Sequence, residues 1–184
     1  MALTESTMMS LGSRAPDFNL PEPLTGQDLS LEQLRGEHAT LVMFICNHCP
    51  YVIHVIEGIA ELSADYMPRG VGFVAINSND VDSYPEDSPE KMSAWATQEQ
   101  FLFPYLFDES QFVAQAYGAA CTPDFFLFDD GLNCIYRGRM DGAKPGNDES
   151  VSGHDLREAL DAVLTGMPVN KDQKPSLGCN IKWK

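Results

Sequence analysis

Two cysteines separated by two residues, in the segment Cys46-Asn47-His48-Cys49-Pro50, are the side chains best suited to chemistry. The thiolate is the reactive form of cysteine, and two thiols at this spacing can close a small disulfide ring. His48 lowers the pKa of a neighbouring thiol when it is protonated or donates an N–H. The motif therefore predicts a dithiol centre in which Cys46 attacks or receives a mixed disulfide, Cys49 resolves it and His48 tunes the pKa.

The same two cysteines could instead form half of a zinc site. The sequence has one such pair and no second pair at this spacing. Redox chemistry is therefore favoured over zinc, and we expect neither a metal nor another cofactor. Redox chemistry also requires that the two sulfurs lie close together and can be reached from solvent.

The apolar run at 39–45 predicts a buried strand, and the segment from Tyr51 to about Met67 predicts a helix that packs on a sheet. The cysteines then lie on a strand-to-helix turn, with Pro50 in the first helical turn, where its missing N–H costs little. Unpaired N–H groups and the helix dipole stabilise a thiolate at this position.

The remaining elements predict an α/β fold with a central mixed β-sheet flanked by helices. Val71 to Ile76 should form a strand parallel to 39–45, followed by an acidic loop at 77–88 on the same sheet edge as Cys46. We expect an N-terminal β-hairpin at about 17–20 and 27–29, a helix at 109–117 and an antiparallel hairpin at 125–137. The chain reads as one domain, 1–184, with a core at about 12–166 and a C-terminal extension at 167–184, either ordered or loose.

A second group of candidate residues is Cys121-Thr122-Pro123, directly before the strand at 125–128. That strand should run antiparallel to 39–45, so its beginning lies beside the carboxyl end of the first strand. Thr122 and Pro123 are therefore predicted to face Cys46 and Cys49.

Together these residues resemble the thioredoxin superfamily, in which a cis-proline loop packs on the disulfide and offers backbone hydrogen bonds to a substrate. The resemblance implies that Pro123 is the cis-proline and that Thr122 and Pro123 bind substrate. More narrowly, the chain is similar to the peroxiredoxin-like thioredoxin family, grouped with alkyl hydroperoxide reductase and thiol-specific antioxidant proteins. The resemblance, which implies a redoxin fold, is carried by Ala15-Pro16-Asp17-Phe18, the stretch from Phe44 to Val52, Pro85-Glu86-Asp87-Ser88-Pro89-Glu90, Cys121-Thr122-Pro123-Asp124 and Gly178-Cys179-Asn180-Ile181-Lys182-Trp183-Lys184.

The sequence also departs from these families. Peroxiredoxins carry a Pro-x-x-x-Thr/Ser-x-x-Cys loop; with Cys49 as its cysteine, the hydroxyl position holds Cys46 and the proline position holds Val42. The buried aspartate of thioredoxins corresponds to Thr40. No proton-relaying base is visible, and His48 and Glu37 are the candidates.

The predicted function is thiol–disulfide oxidoreductase chemistry at the Cys46–Cys49 pair. One alternative is a thiol peroxidase, an antioxidant activity in which peroxide oxidises Cys49 to a sulfenic acid. Another is a non-catalytic copper- or zinc-binding redoxin. Cys121 and Cys179 are possible extra thiols, whereas Cys134 is expected in the core.

Charge and composition limit the partners. The net charge is −15, and because the last fourteen residues carry +3, the first 170 carry −18, which argues against a nucleic-acid partner. The N-terminus lacks a signal-peptide pattern, no apolar run is long enough to span a membrane, and five cysteines argue against a disulfide framework. We therefore expect a cytoplasmic protein that acts on a protein or small-molecule disulfide, or on a peroxide, and is recycled by a cellular thiol reductant.

Overall fold

The structure is a computed structural model that describes residues 3–184, so the first two residues of the predicted domain lie outside it. The strands are β1 (Leu3–Glu5), β2 (Asn19–Glu22), β3 (Gln27–Ser30), β4 (Ala39–Phe44), β5 (Val71–Asn77), β6 (Tyr105–Phe107), β7 (Cys121–Thr122), β8 (Asp124–Asp129), β9 (Cys134–Gly138) and β10 (Leu177–Asn180). The helices are α1 (Leu31–Leu34), α2 (Pro50–Tyr66), α3 (Pro89–Gln98), α4 (Phe112–Tyr117) and α5 (His154–Leu164).

A five-stranded mixed sheet, in the order β6-β5-β4-β8-β9, forms the centre of the fold. Strand β4 runs parallel to β5, with Phe44 opposite Ile76, and antiparallel to β8, with Phe44 opposite Asp124. All six residues of β4 are buried, because the sheet is covered on both faces; its sequence is therefore continuously apolar rather than alternating. The predicted strand, its parallel neighbour and the antiparallel hairpin are all confirmed.

Successive residues of β4 point into two different cores, since side chains alternate across a strand. Leu41 and Met43 belong to the core that also contains Cys46, Cys49 and Cys179. Val42 and Phe44 belong to the core on the opposite face, which contains Cys134. The predicted core position of Cys134 is correct, and it is separated by the sheet from the candidate dithiol.

The two ends of the chain meet in a second sheet, of order β1-β10-β7. Cys179 lies opposite Leu3 on one side and opposite Thr122 on the other. The C-terminal extension, which composition left undecided, is therefore ordered around β10 and lies beside the Thr122-Pro123 segment.

The expected α/β thioredoxin-like (redoxin) fold with its N-terminal hairpin is confirmed, and β2 pairs antiparallel with β3. One boundary is wrong: the helix expected at 109–117 begins only at Phe112. Gln111 before it has a φ of 65°, which is outside the helical region, and its side-chain amide donates instead to the carbonyls of Ser78 and Lys182. Within residues 3–184, none of the helices combines the length and apolar character required to cross a bilayer.

Candidate active site

Strand β4 and helix α2 position the two cysteines at the carboxyl edge of the central sheet. Ile45 continues the strand by donating its backbone N–H to the carbonyl of Ile76 at 3.0 Å. Cys49 is the N-cap residue of α2, Pro50 takes the first helical position, and the N–H of Ile53 bonds to the carbonyl of Cys49 at 3.0 Å. The predicted strand-to-helix turn is therefore present.

The Thr122–Pro123 peptide bond is cis and faces both cysteines, as the sequence predicts. The Sγ atom of Cys46 lies 3.4 Å from Oγ1 of Thr122. The Sγ atom of Cys49 lies 3.2 Å from the carbonyl oxygen of Thr122. One residue, Thr122, thus contacts both sulfurs.

The expectation that solvent reaches the pair is not met in this conformation. Cys46 is 1% exposed and Cys49 is 0% exposed. Thr122 packs against both sulfurs, and Cys179 of β10 contacts Cys49 from the tail. Because β10 also pairs with the backbone of Thr122, an incoming chain can use that strand edge only after β10 moves.

Hydrogen bonds among the sulfurs separate the pKa values of the two thiols. Donation from the Cys46 thiol, and then from Cys179, Thr122 and the backbone of Val52, lowers the pKa of Cys49 to about 4 against the opposing effect of burial. The pKa of Cys46 is raised because it donates to Cys49, is buried and lies near the charge of Asp87. The lower pKa therefore belongs to Cys49 and not to Cys46, which the sequence named as the attacking residue.

His48 is held by a buried carboxylate that sequence analysis did not single out. Its Nδ1 lies 2.8 Å from Oδ2 of Asp87, and this ion pair raises the pKa of His48. Asp87 is fully buried and also accepts the N–H of Asn47 at 2.8 Å and the amide of Asn79 at 2.7 Å. The His48 ring stacks on Tyr84 with 5.7 Å between centroids. The ring of His48, a residue between the two cysteines in the sequence, is therefore held in one orientation by Asp87 and Tyr84.

The prediction of Glu37 as the other candidate base is wrong. It is exposed and precedes β4, whereas Cys46 follows β4. A strand of six residues is about 20 Å long, so Glu37 lies at the opposite edge of the sheet.

Asp124 is a second buried acid that sequence reasoning missed. It follows the cis-proline directly, is 0% exposed, and has a pKa raised well above its usual range by burial. Contacts with Ser176 and the N–H of Phe125 offset only part of that effect. The thioredoxin aspartate position, Thr40, instead accepts the backbone N–H of Gly36 at 3.1 Å, so the buried acid near this site comes from a different strand.

A sulfur, a ring nitrogen and a carboxylate oxygen from Cys46, His48 and Asp87 lie within 4.8 Å of one another. These are ligand types found in zinc and copper sites. Both carboxylate oxygens of Asp87 already accept hydrogen bonds, from Asn47 and Asn79. The contacts of Asp87 are accounted for by orienting His48, and the expectation of no metal stays a prediction.

The two possible extra thiols, Cys121 and Cys179, differ in their surroundings. All five cysteines are free thiols. Cys179 belongs to the same buried cluster as Cys46 and Cys49 and pairs with Thr122. Cys121 is fully buried, its sulfur faces the carbonyl of Pro123 at 3.9 Å, and burial raises its pKa. Of the two possible extra thiols, the structure brings Cys179 into contact with the sulfur of Cys49.

A cavity of about 300 Å³ lies beside the cis-proline and the first turns of α2. Its lining includes Tyr51, Val55, Pro123, Lys144 and Lys174. Pro123 links this cavity to the pair, although neither Cys46 nor Cys49 lines it.

Comparison with known proteins places this geometry in a family. Over 126 residues the chain is 31% identical to the thiol-disulfide oxidoreductase ResA of Geobacillus thermodenitrificans, covering 68% of this chain and 67% of ResA. A crystal structure of an uncharacterized conserved protein from Geobacillus kaustophilus has 54% identity and a TM-score of 0.99, covering 100% of this chain and 97% of that one. The hypothetical protein SMc02350 from Sinorhizobium meliloti has 48% identity and a TM-score of 0.96 over 98% of both chains. Residues 10–154 match the Redoxin family, and the chain belongs to that family.

Proposed function

We propose that this protein is a thiol–disulfide oxidoreductase whose Cys46–Cys49 pair cycles between dithiol and disulfide. The observation that carries the proposal is that both sulfurs lie against Thr122, at 3.4 Å from its hydroxyl for Cys46 and 3.2 Å from its carbonyl for Cys49. Interaction with Cys46 lowers the pKa of Cys49 to about 4, which provides a thiolate at neutral pH. The 31% identity with a protein named as a thiol-disulfide oxidoreductase supports the proposal.

In the first step, the Cys49 thiolate attacks one sulfur of a substrate disulfide. A Cys49–substrate disulfide forms, and the other substrate sulfur leaves as a thiolate. Cys49 then no longer carries a negative charge. The interaction with Cys49, which is the largest cause of the raised pKa of Cys46, therefore disappears. Cys46 gives its proton to the departing thiolate and attacks Cys49, which closes the Cys46–Cys49 disulfide and releases the second substrate thiol.

His48 and Asp87 support this chemistry from the loop side. Asp87 favours protonated His48, and positive charge on His48 and negative charge on Cys49 stabilise each other. Asp87 also raises the pKa of Cys46, so the same carboxylate favours keeping the proton on Cys46 and the charge on Cys49. His48 and Asp87 are therefore positioning residues for the thiolate.

The proposed partners are a disulfide substrate and a thiol reductant that restores the dithiol. Because the pair is buried and the backbone of Thr122 is already paired with β10, a substrate reaches the sulfurs only when β10 moves, and a small-molecule disulfide needs the smaller movement. The cavity beside Pro123 offers such a molecule a docking space. The proposed compartment is the cytoplasm, since five free thiols suit a reducing environment.

The test is reduction of a small disulfide, with glutathione disulfide as the probe, by protein reduced beforehand and freed of reductant. Cys49→Ser should abolish the reduction and prevent any mixed disulfide, whereas Cys46→Ser should still form the mixed disulfide but never the Cys46–Cys49 disulfide. Cys134→Ser is the matched control, because Cys134 lies in the opposite core. Disulfide reduction that persists in Cys49→Ser would overturn the proposal.

A peroxidase activity is the second candidate, and the low pKa of Cys49 favours it, because peroxide would oxidise this thiolate to a sulfenic acid. In this chain Cys46 occupies the position of the Thr or Ser hydroxyl of the peroxiredoxin loop. The hydroxyl beside the pair is instead that of Thr122, whose Oγ1 lies 3.4 Å from the Cys46 sulfur. Hydrogen peroxide consumption in the presence of dithiothreitol separates the two activities. Consumption no faster than with dithiothreitol alone excludes the peroxidase.

A further inference from the structure

The strand β10 holds a third thiol at the dithiol centre, outside residues 10–154 that match the Redoxin family. Cys179 pairs in register with Thr122, the residue whose carbonyl and hydroxyl contact the sulfurs of Cys49 and Cys46. Cys46, Cys49 and Cys179 all belong to one buried cluster. The tail therefore contributes a sulfur to the same enclosed space.

Cys179 and Cys49 lie in the same buried cluster, and both adjoin Thr122. Interaction with the Cys179 thiol lowers the pKa of Cys49, as interaction with the Cys46 thiol also does. Cys49 thus has two sulfur neighbours, one from its own turn and one from β10. Either sulfur can attack Cys49 once Cys49 is part of a disulfide.

Backbone hydrogen bonds hold Cys179 in this position from both sides. Before it, the N–H of Ser176 donates to Oγ of Ser6 at 2.9 Å. After it, the N–H of Ile181 donates to the carbonyl of Ala120 at 3.0 Å and that of Lys182 to the side chain of Asn79 at 2.8 Å. The thiol is therefore presented by an anchored strand and not by a loose tail.

We propose that Cys179 is a second resolving thiol, which attacks Cys49 in a mixed disulfide and forms an intramolecular Cys49–Cys179 disulfide. The inference rests on the proposed function, because it requires that Cys49 first forms a disulfide with substrate. In this step the S–S bond between Cys49 and substrate breaks, the Cys49–Cys179 bond forms, and the substrate sulfur leaves with the proton from Cys179. The two electrons come from the Cys49 and Cys179 thiols, and the substrate disulfide is reduced to two thiols.

The protonation of Cys179 fits a thiol that acts only after Cys49 has reacted. Burial and the hydrogen bond to Cys49 raise the pKa of Cys179 to about 12. Charge on Cys49 contributes to this shift and vanishes when Cys49 enters a mixed disulfide. Lys182 lowers the pKa of Cys179 throughout, so ionisation becomes easier at that stage.

Cys121 lies next to Thr122 in β7 but is not placed to act as a resolving thiol for Cys49. It pairs with Asn180, one position further along β10, and its sulfur points toward the carbonyl of Pro123. Adjacent residues of a strand face opposite sides. Cys121 is therefore a suitable comparison for Cys179.

The test compares two proteins that cannot form the Cys46–Cys49 disulfide. C46A and C46A/C179A, both reduced and then freed of reductant, are treated with glutathione disulfide, and their products are identified by intact mass and peptide mapping. C46A should bind glutathione transiently and then release it, ending with a Cys49–Cys179 crosslink. C46A/C179A should retain glutathione on Cys49, although Cys121 is still present. If the alanine variants do not fold by circular dichroism, C46S and C46S/C179S replace them.

Two results would overturn the inference. If C46A keeps glutathione on Cys49, or releases it only by crosslinking Cys49 to Cys121 or to a second molecule, Cys179 is not the resolving thiol and the proposed function stands. If neither C46A nor C46A/C179A takes up glutathione at Cys49, both the inference and the thiolate role of Cys49 fail.

Discussion

Cys49 and Cys134 are almost equally buried, yet their thiols have opposite acidities. Cys49 is 0% exposed and Cys134 is 2% exposed. The pKa of Cys49 is lowered to about 4, chiefly by donation from Cys46, whereas burial raises the pKa of Cys134 to about 11. Both sulfurs face a backbone carbonyl, which cannot stabilise a thiolate: Cys134 that of Tyr136 at 3.6 Å and Cys49 that of Thr122 at 3.2 Å. Donors around the sulfur, and not its exposure, distinguish the two sites.

The same contrast holds for the two buried acids near the dithiol. Asp87 receives hydrogen bonds from Asn47 and Asn79 and pairs with His48. Asp124 has fewer compensating contacts, and its burial raises its pKa. The carboxylate with few partners is the one whose burial raises its pKa.

The largest effect is expected when the main donor to Cys49 is removed. In Cys46→Ala the pKa of Cys49 should rise by about one to two pH units, the effect of losing one hydrogen bond to a charged group. Cys46→Ser keeps an O–H donor, so its effect should be smaller. The ultraviolet absorbance of the thiolate, followed against pH in reduced protein, measures both. Equal pKa values in Cys46→Ala and the wild-type protein would show that Cys46 does not stabilise the thiolate.

The next effect concerns stability at Asp124. A folded-state pKa raised above the unfolded value of about 3.9 means that wild-type protein loses stability as pH rises from there through the folded pKa, by up to about 1.4 kcal/mol per pH unit. Asp124→Asn should remove this loss, so its stability relative to wild type should increase with pH. Urea unfolding across this pH range measures it. Asp130→Asn, at an exposed carboxylate, is the control and should not change the slope; an equal slope in Asp124→Asn would contradict the assignment.

The smallest effect is expected from Asp87→Asn, which neutralises the partner of His48. The pKa of His48 should fall because the ion pair with Asp87 raises it, and the pKa of Cys46 should fall as well. The stability that protonated His48 contributes is complete below about pH 6.5 and is lost as pH rises through its folded pKa, so the variant should be penalised most at low pH. NMR titration of the His48 ring measures the first effect. Glu86→Gln, one residue away and exposed, should leave it unchanged, and an unaltered His48 pKa in Asp87→Asn would exclude the interaction.

The sequence contains most of the information on the fold and on the pair itself. Continuous apolar runs, together with Pro50 at the start of α2, were enough to predict β4, α2 and β5, and the position before β8 predicted that Thr122 and Pro123 face the cysteines. These are local patterns, and each is set by residues close together in the chain.

The rest depends on contacts between distant segments. The loop at 77–88 was predicted at the correct edge, but Asp87 is selected among its acidic residues by the short turn Pro85–Asp87, which aims that side chain inward. The tail pairs with β1 from the opposite end of the chain, and no local pattern predicts that Cys179 reaches Cys49. Burial of the sulfurs follows from the same pairing, which explains why solvent access was the expectation that failed.

The central claim is that Cys49 is a thiolate at neutral pH because its neighbours donate to it. Thiolate absorbance of the fully reduced wild-type protein, compared with Cys49→Ser and with Cys134→Ser across the acid range, tests it directly. The account predicts one thiol that ionises with a pKa of about 4, present in wild type and Cys134→Ser and absent in Cys49→Ser. A first thiol ionisation near the ordinary value of about 8.5 in the wild-type protein would contradict it.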